Sequence, residues 1–219
     1  MSDSKSSSRT QPIRTKVRPL KRTAASGGNR RARREEIRKE LQAIFIAEGF
    51  RNLTIDKLAR RLGCSNRTLY SIAPSKEEMF LGILSEGIEK ALKEGLEGAM
   101  SHEDPVARIE AYLLPGVTAS RALSAQFIQD VQTYLPARQL LENYRKERMR
   151  FLEGIIASGV KSGHFRKIHP HLVAETLLSA VHRFEQLSAD GQAELSFDEA
   201  VAELYDLLLH GLVLDPRAS

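Results

Sequence analysis

The 219-residue sequence has a single cysteine, Cys64. A lone thiol excludes an internal disulfide and a multi-thiolate metal centre, and it fits a reduced, cytoplasmic setting. No stretch approaches the ~20 apolar residues of a membrane-spanning helix, so no membrane partner is expected. No segment alternates polar and apolar positions with β-branched enrichment, so the expected fold class is all-α. The chain lacks Gly-x-Ser-x-Gly, a Cys/His pairing, a phosphate loop and Gly-x-Gly-x-x-Gly. No catalytic residue and no cofactor is therefore assigned, and an enzyme is not expected. His164, His169 and His171 are close in sequence, but Pro170 keeps the last two off one helix face. No thiolate or carboxylate cluster accompanies them, so no metal site is assigned.

Acid is scarce at the N-terminus. Residues 1–34 hold eleven Lys/Arg against the one acid Asp3, a net +10, whereas the whole chain is +5. The remainder is therefore at −5, a mildly acidic body behind a strongly basic front, as expected for contact with a polyanion. Residues 1–28 read as a disordered basic arm rich in Ser, Thr, Pro and Gly. An organelle transit peptide shares that composition, but Pro12, Pro19 and Gly27-Gly28 interrupt it and no apolar stripe runs through it.

Helical patterning begins near Asn29. Ile37, Leu41, Ile44 and Phe45 form one apolar face, ended by Gly49. Thr54 can cap a second helix with Ile55, Leu58, Ala59 and Leu62 inward. Gly63 supplies a turn, Ser65 can cap a third helix to about Ser71, and Pro74 stops it. Ser75-Lys76-Glu77-Glu78 is a capping box opening a helix to about Met100. Beyond it, Asp104-Pro105 starts a helix that Pro115-Gly116 should interrupt or end. Others are expected over about 120–135, 136–161, 170–188 and 196–213.

Two short helices around Gly63 make a helix-turn-helix, in which small Ala59 permits close packing and Leu62, Leu69 and Ile72 can bury. The outer face of the second helix is then Ser65, Asn66, Arg67, Thr68, Tyr70 and Ser71, short hydrogen-bonders with one guanidinium and one phenol. Such groups can reach base edges and phosphates in a major groove, with Arg67 suited to guanine and Asn66 to adenine. Thr54, Lys57 and Lys76 lie at or near helix starts, where phosphates are held.

Here the sequence resembles a known family. Phe45 with Gly49-Phe50, then Leu53-Thr54, Leu58-Ala59, Leu62-Gly63, Ser65 and Thr68-Leu69-Tyr70, then Pro74-Ser75-Lys76-Glu77-Glu78-Met79-Phe80, resemble the DNA-binding head of the TetR family over about residues 31–85. The resemblance implies a bacterial cytosolic regulator with a three-helix head at 29–75 and a helical sensing and dimerisation body at 76–214, about nine helices in all. It implies phosphate contacts at Thr54 and Lys76, and Asn66, Arg67, Thr68, Tyr70 and Ser71 facing double-stranded DNA. Many members carry an aromatic and a histidine after the Leu-Tyr pair, then Phe. This chain has Ser71, Ile72 and Ala73, a less aromatic reading face. Cys64 stands where Val is common, and a small apolar plug in the turn is its expected role.

Residues 155–181 resemble the hinge before the family's last two helices, which usually build a four-helix dimer interface. The implied partners are a second copy of the chain, a palindromic operator and a small-molecule effector whose binding releases DNA. Expected pocket residues are Tyr112, Phe127, Asp130, Tyr134, Tyr144, Arg148 and Phe151. Arg148 falls within an apolar stripe and needs an anionic partner, either an internal acid such as Asp130 or a ligand carboxylate. Two other readings remain open: a helical carrier or enzyme that kept a head-like subdomain, and a non-specific nucleic-acid binder acting through the arm.

Overall fold

A computed structural model describes residues 24–212, which form nine helices and no strand. They are α1 (Ala24–Glu48), α2 (Ile55–Arg61), α3 (Asn66–Tyr70), α4 (Lys76–Met100), α5 (Pro105–Ser120), α6 (Ala125–Thr133), α7 (Leu135–Ser162), α8 (Pro170–Ala189) and α9 (Phe197–Leu212). Most of the expected basic arm lies outside the described residues. Its end is corrected, because α1 starts at Ala24 rather than near Asn29. Gly27-Gly28 looks like a breaker, but each glycine costs a helix only about 1 kcal/mol, and Ala24 and Ala25 favour it.

Short polar side chains set the helix starts. Thr54, Ser65, Ser75, Asp104 and Ser124 each accept the backbone N–H three residues on, at 2.9–3.2 Å. At α9 the pairing is reciprocal: Ser196 N–H donates to Glu199, and Glu199 N–H donates to Ser196 Oγ. Gly49 (φ +71°) and Gly163 (φ +78°) end α1 and α7 in the left-handed region that glycine adopts without strain.

Two apolar clusters hold the helices together. One joins Ile37, Leu41 and Phe45 of α1 with Leu58, Leu62, Leu69, Met79 and Phe80, and with Phe127 and Val131 of α6. Phe50 stacks on Phe80 at 4.2 Å, and Phe80 meets Phe127 at 5.3 Å. Each such ring contributes roughly 1.5–3 kcal/mol through burial alone. The other cluster gathers Ile109, Tyr112, Leu152, Ile156, Phe165, Leu177 and Val201. Helix α4 runs from the first, through Phe80 and Ile83, to the second, through Ala99. The apolar core therefore does not divide at residue 75.

Two expected helix boundaries are corrected. Pro115 lies inside α5, which continues to Ser120. Proline in a helix interior costs about 3 kcal/mol. Buried Val117 and Ser120 lie beyond it, so packing overrides the break. The helix expected from Ser120 begins instead at Ala125, after a turn capped by Ser124. Close approach of α4 and α5 depends on glycine: a Cβ at Gly95 would lie 2.7 Å from the Tyr112 carbonyl oxygen.

Candidate nucleic-acid interface and interior cavity

Helix α3 is held from behind. Leu69 is fully buried, and Arg33 of α1 donates to the Leu62 carbonyl at 2.9 Å. Arg34 donates to the Ser71 carbonyl, and Arg61 forms a two-pronged pair with Glu48 at 2.6 and 2.7 Å. The Arg61 hydrogen bonds hold the Glu48 carboxyl below its usual range. These arginines fix α1 against the helix-turn-helix, a role the basic composition did not reveal.

The outward groups differ in how free they are. Ser65, Asn66, Arg67, Tyr70 and Ser71 are exposed, and Thr68 is half-buried. Tyr70 is a large side chain that remains 51% exposed. Asn66 donates to Asp56 Oδ1 at 2.7 Å, so its amide is engaged across the turn. Ser65 Oγ lies 3.0 Å from Thr68 Oγ1, and Ser71 Oγ donates to the Thr68 carbonyl. Thr54 and Lys57 are exposed at the start of α2, joined through the Thr54 cap. Lys76 is turned inward: its ammonium donates to the carbonyls of Leu53 at 2.7 Å and Arg51 at 3.2 Å, and sits 5.3 Å from the Phe50 ring centre. Cys64 is half-buried, and burial pushes its thiol up, with Arg33 opposing. A thiol of that kind is a packing residue and not an activated nucleophile.

Behind the head, α4 to α9, together with Gln42 and Ile46 of α1, line a partly open cavity of about 480 Å³, within the range of small-molecule pockets. Its wall includes Ile83 and Ile88 of α4, Gly116, Phe127 and Val131 of α6, Tyr144, Arg148, Val201 and Tyr205. Of the seven residues expected there, Phe127, Tyr144 and Arg148 line it. Tyr112 and Phe151 do not line it; their rings pack against each other at a tilt, centres 4.7 Å apart, and Tyr112 donates to the Arg148 carbonyl. Burial raises the phenol pKa of both Tyr112 and Tyr144, with Arg148 opposing in each case.

Asp130 and Tyr134 lie elsewhere, which corrects the expectation for both. Tyr134 packs on Phe50 at 5.5 Å. Asp130, 1% exposed, accepts the backbone N–H of Phe50 at 2.6 Å and of Arg51 at 3.1 Å, and the Gln126 amide at 3.0 Å. It caps the turn after α1 and is not a partner for Arg148. Two more bonds tie α6 to that turn: Ser124 N–H donates to the Ile46 carbonyl, and Arg51 donates to Thr133 Oγ1, both at 3.1 Å. Sequence reasoning missed this because the partners are some eighty residues apart. The only local hint was an acid within an otherwise apolar face.

Among the described residues no group of three or more His, Cys, Asp or Glu is placed to hold a metal, and no helix is long and apolar enough to cross a membrane.

Comparisons with known proteins agree with this geometry. Residues 38–83 match the family model for bacterial regulatory proteins of the tetR family. The nucleoid occlusion factor SlmA of Vibrio campbellii is 27% identical over 189 residues, covering 80% of this chain and 94% of that protein. The HTH-type transcriptional regulator YfiR of Bacillus subtilis is 26% identical over 185 residues, covering 80% and 86%. Among solved structures, a transcriptional regulator from Saccharomonospora viridis in complex with choline superposes with a TM-score of 0.69 at 19% identity, covering 84% of this chain and all of that one. The regulator FadR of Bacillus subtilis in complex with stearoyl-CoA gives a TM-score of 0.63 at 15% identity, covering 81% and 98%. At those identities the structural likeness speaks for the shared fold. The matched segment runs from the second half of α1 through α2 and α3 to the start of α4, so these residues form a helix-turn-helix head similar to that of the bacterial regulatory proteins of the tetR family.

Proposed function

We propose that the protein works as a cytoplasmic homodimer that reads a palindromic operator and represses transcription until a small molecule enters the cavity. The observation that carries this reading is the shared position of α6. Its Phe127 and Val131 line the cavity, while its Asp130 holds the backbone that joins α1 to α2. A ligand that displaces α6 therefore acts on the placement of α2 and α3.

On the DNA side, Arg67 and Tyr70 are the outward groups most free to meet a major groove, Ser71 is exposed beside them with its hydroxyl on the Thr68 carbonyl, and Arg67 is the base reader. Thr54, Lys57, Ser65 and Thr68 flank them as backbone contacts. Asn66 reads a base only by leaving Asp56, and Lys76 shapes the loop ahead of α2 while keeping one N–H for a phosphate. Dimerisation is supported by α8 and α9, which pack on one another and leave Leu172 and Leu207 more than half exposed. Two heads on a twofold axis read two half-sites, which makes the operator palindromic.

The test is selection of binding sites from random DNA by the purified full chain, beside Arg67→Ala, at one fixed salt concentration. A palindromic site enriched by the wild type and relaxed in the variant supports the reading. Tight but sequence-blind binding overturns it and moves the activity to the basic arm.

A further inference from the structure

Arg148 is a full charge in a poor setting. It is 8% exposed, deep in α7, and its Nη2 lies 3.4 Å from the Leu113 carbonyl, a long and weak contact. Its guanidinium carbon sits 5.5 Å from the Tyr112 ring centre and 5.6 Å from that of Tyr144, and Tyr205 lines the same cavity. Among the described residues no carboxylate pairs with it: Asp130, the one buried acid, is held by the Phe50 and Arg51 amides. Rings and carbonyls soften the desolvation of a buried cation but do not neutralise it. Burial works against the charge, but a guanidinium does not give up its proton inside a protein, so Arg148 remains a cation.

The surroundings keep the guanidinium in place and in reach. Gly116 makes room for it, since a Cβ there would fall 2.3 Å from Nη1. Arg148, Tyr144 and Tyr205 all line the 480 Å³ cavity, whose other walls are largely aliphatic and aromatic, with Lys90, Glu94 and Arg145 as the remaining charged residues. A planar fork of donors in the wall of a largely apolar chamber matches one chemical shape: a planar anionic head on an apolar body.

We propose that the cavity binds a small organic carboxylate, its carboxylate on the Arg148 fork beside the Tyr144 and Tyr205 phenols and its apolar body against Phe127, Ile88 and Val131. The inference deepens the ligand-released reading above and rests on it only for the consequence; binding itself is independent of DNA.

The experiment is calorimetric titration of the full chain, without DNA, using decanoate and its neutral counterpart decanamide, on wild type, Arg148→Met and Arg148→Lys. Hydrogen bonds to a charged partner predict that wild type prefers decanoate by about tenfold or more. Arg148→Met should lose that preference while still taking decanamide. Arg148→Lys, which keeps the charge but not the fork, should fall between them. Equal binding of the two probes by wild type overturns the proposal with no variant needed, and so does absence of binding by either. Decanoate affinity unchanged in Arg148→Met, in protein with wild-type helicity, overturns it as well. A chain that prefers decanoate but shows no sequence-specific DNA binding would sink the repressor reading and leave this assignment standing.

Discussion

Removing the Asp130 carboxylate should be among the most costly single changes in this protein. Asp130→Ala leaves two backbone donors, the Phe50 and Arg51 N–H groups, without their acceptor at a buried turn, and frees the Gln126 amide. A buried donor stripped of a charged partner loses about 1.5–3 kcal/mol, and the two share one carboxylate, so the combined loss is about 2–4 kcal/mol. For a domain of this size each kcal/mol lowers Tm by about 2–4 °C, which places the expected drop at about 5–15 °C. Thermal unfolding followed by circular dichroism measures it. Gly49 gives an internal control, because a Cβ there would collide with Asp130 Oδ2 at 2.4 Å and with Gln126 Cγ at 2.7 Å. Gly49→Ala should therefore be less harmful on the Asp130→Ala background, though still strained by its positive φ. Asp130→Ala melting within about 2 °C of wild type would refute the reasoning, for the turn would then not depend on that carboxylate.

Other expectations follow from single contacts. Arg67→Ala should weaken operator binding by about 1–3 kcal/mol with Tm unchanged, measured by titration of a selected site, because the side chain is exposed. Lys76→Met should lower Tm, since the ammonium holds the Arg51 and Leu53 carbonyls, and should change the slope of log affinity against log salt by less than the ~0.9 of a full phosphate contact. Gly95→Ala should cost about 1–3 kcal/mol in denaturant unfolding, because the added methyl meets the Tyr112 backbone. The lowered Glu48 carboxyl gives a signed pH effect. Its pairing with Arg61 stabilises the fold above the ordinary carboxylate range and is lost as pH falls through the lowered value. The Tm gap between wild type and Glu48→Gln should thus be present at neutral pH and close in acid.

Local rules made most of the helices legible. Ile37, Leu41 and Phe45 announced the buried stripe of α1, and Thr54, Ser65 and Ser75 marked three starts by chemistry acting over three residues. Leu62 and Leu69 were assigned inward from spacing alone, and both are buried. Reasoning from neighbours failed where distant contacts decide. Pro115 breaks a helix in isolation, yet α5 continues to Ser120, where residues beyond the proline are buried. Asp130 shares α6 with Phe127, but a rotation of about 100° per residue sends it to the α1 turn while Phe127 meets the cavity, and Tyr134 lies just past the helix end against Phe50. Lys76 and Asn66 were expected to face DNA from their positions in the motif. Their internal bonds to Leu53 and Asp56 depend on how the loops close, which spacing does not encode.

Helix α6 is nine residues long and serves two masters: one face borders the cavity, and another secures the turn ahead of α2. If the cavity takes an effector as proposed, a wall shared in this way makes occupancy on either side felt on the other, and by the same factor in both directions. Operator DNA would then eject effector as strongly as effector ejects DNA. The set-point of that exchange then becomes adjustable at Ile128, which lines the cavity, and Gln126, which holds Asp130, with the groove-facing residues of α3 and the cavity arginine left unaltered.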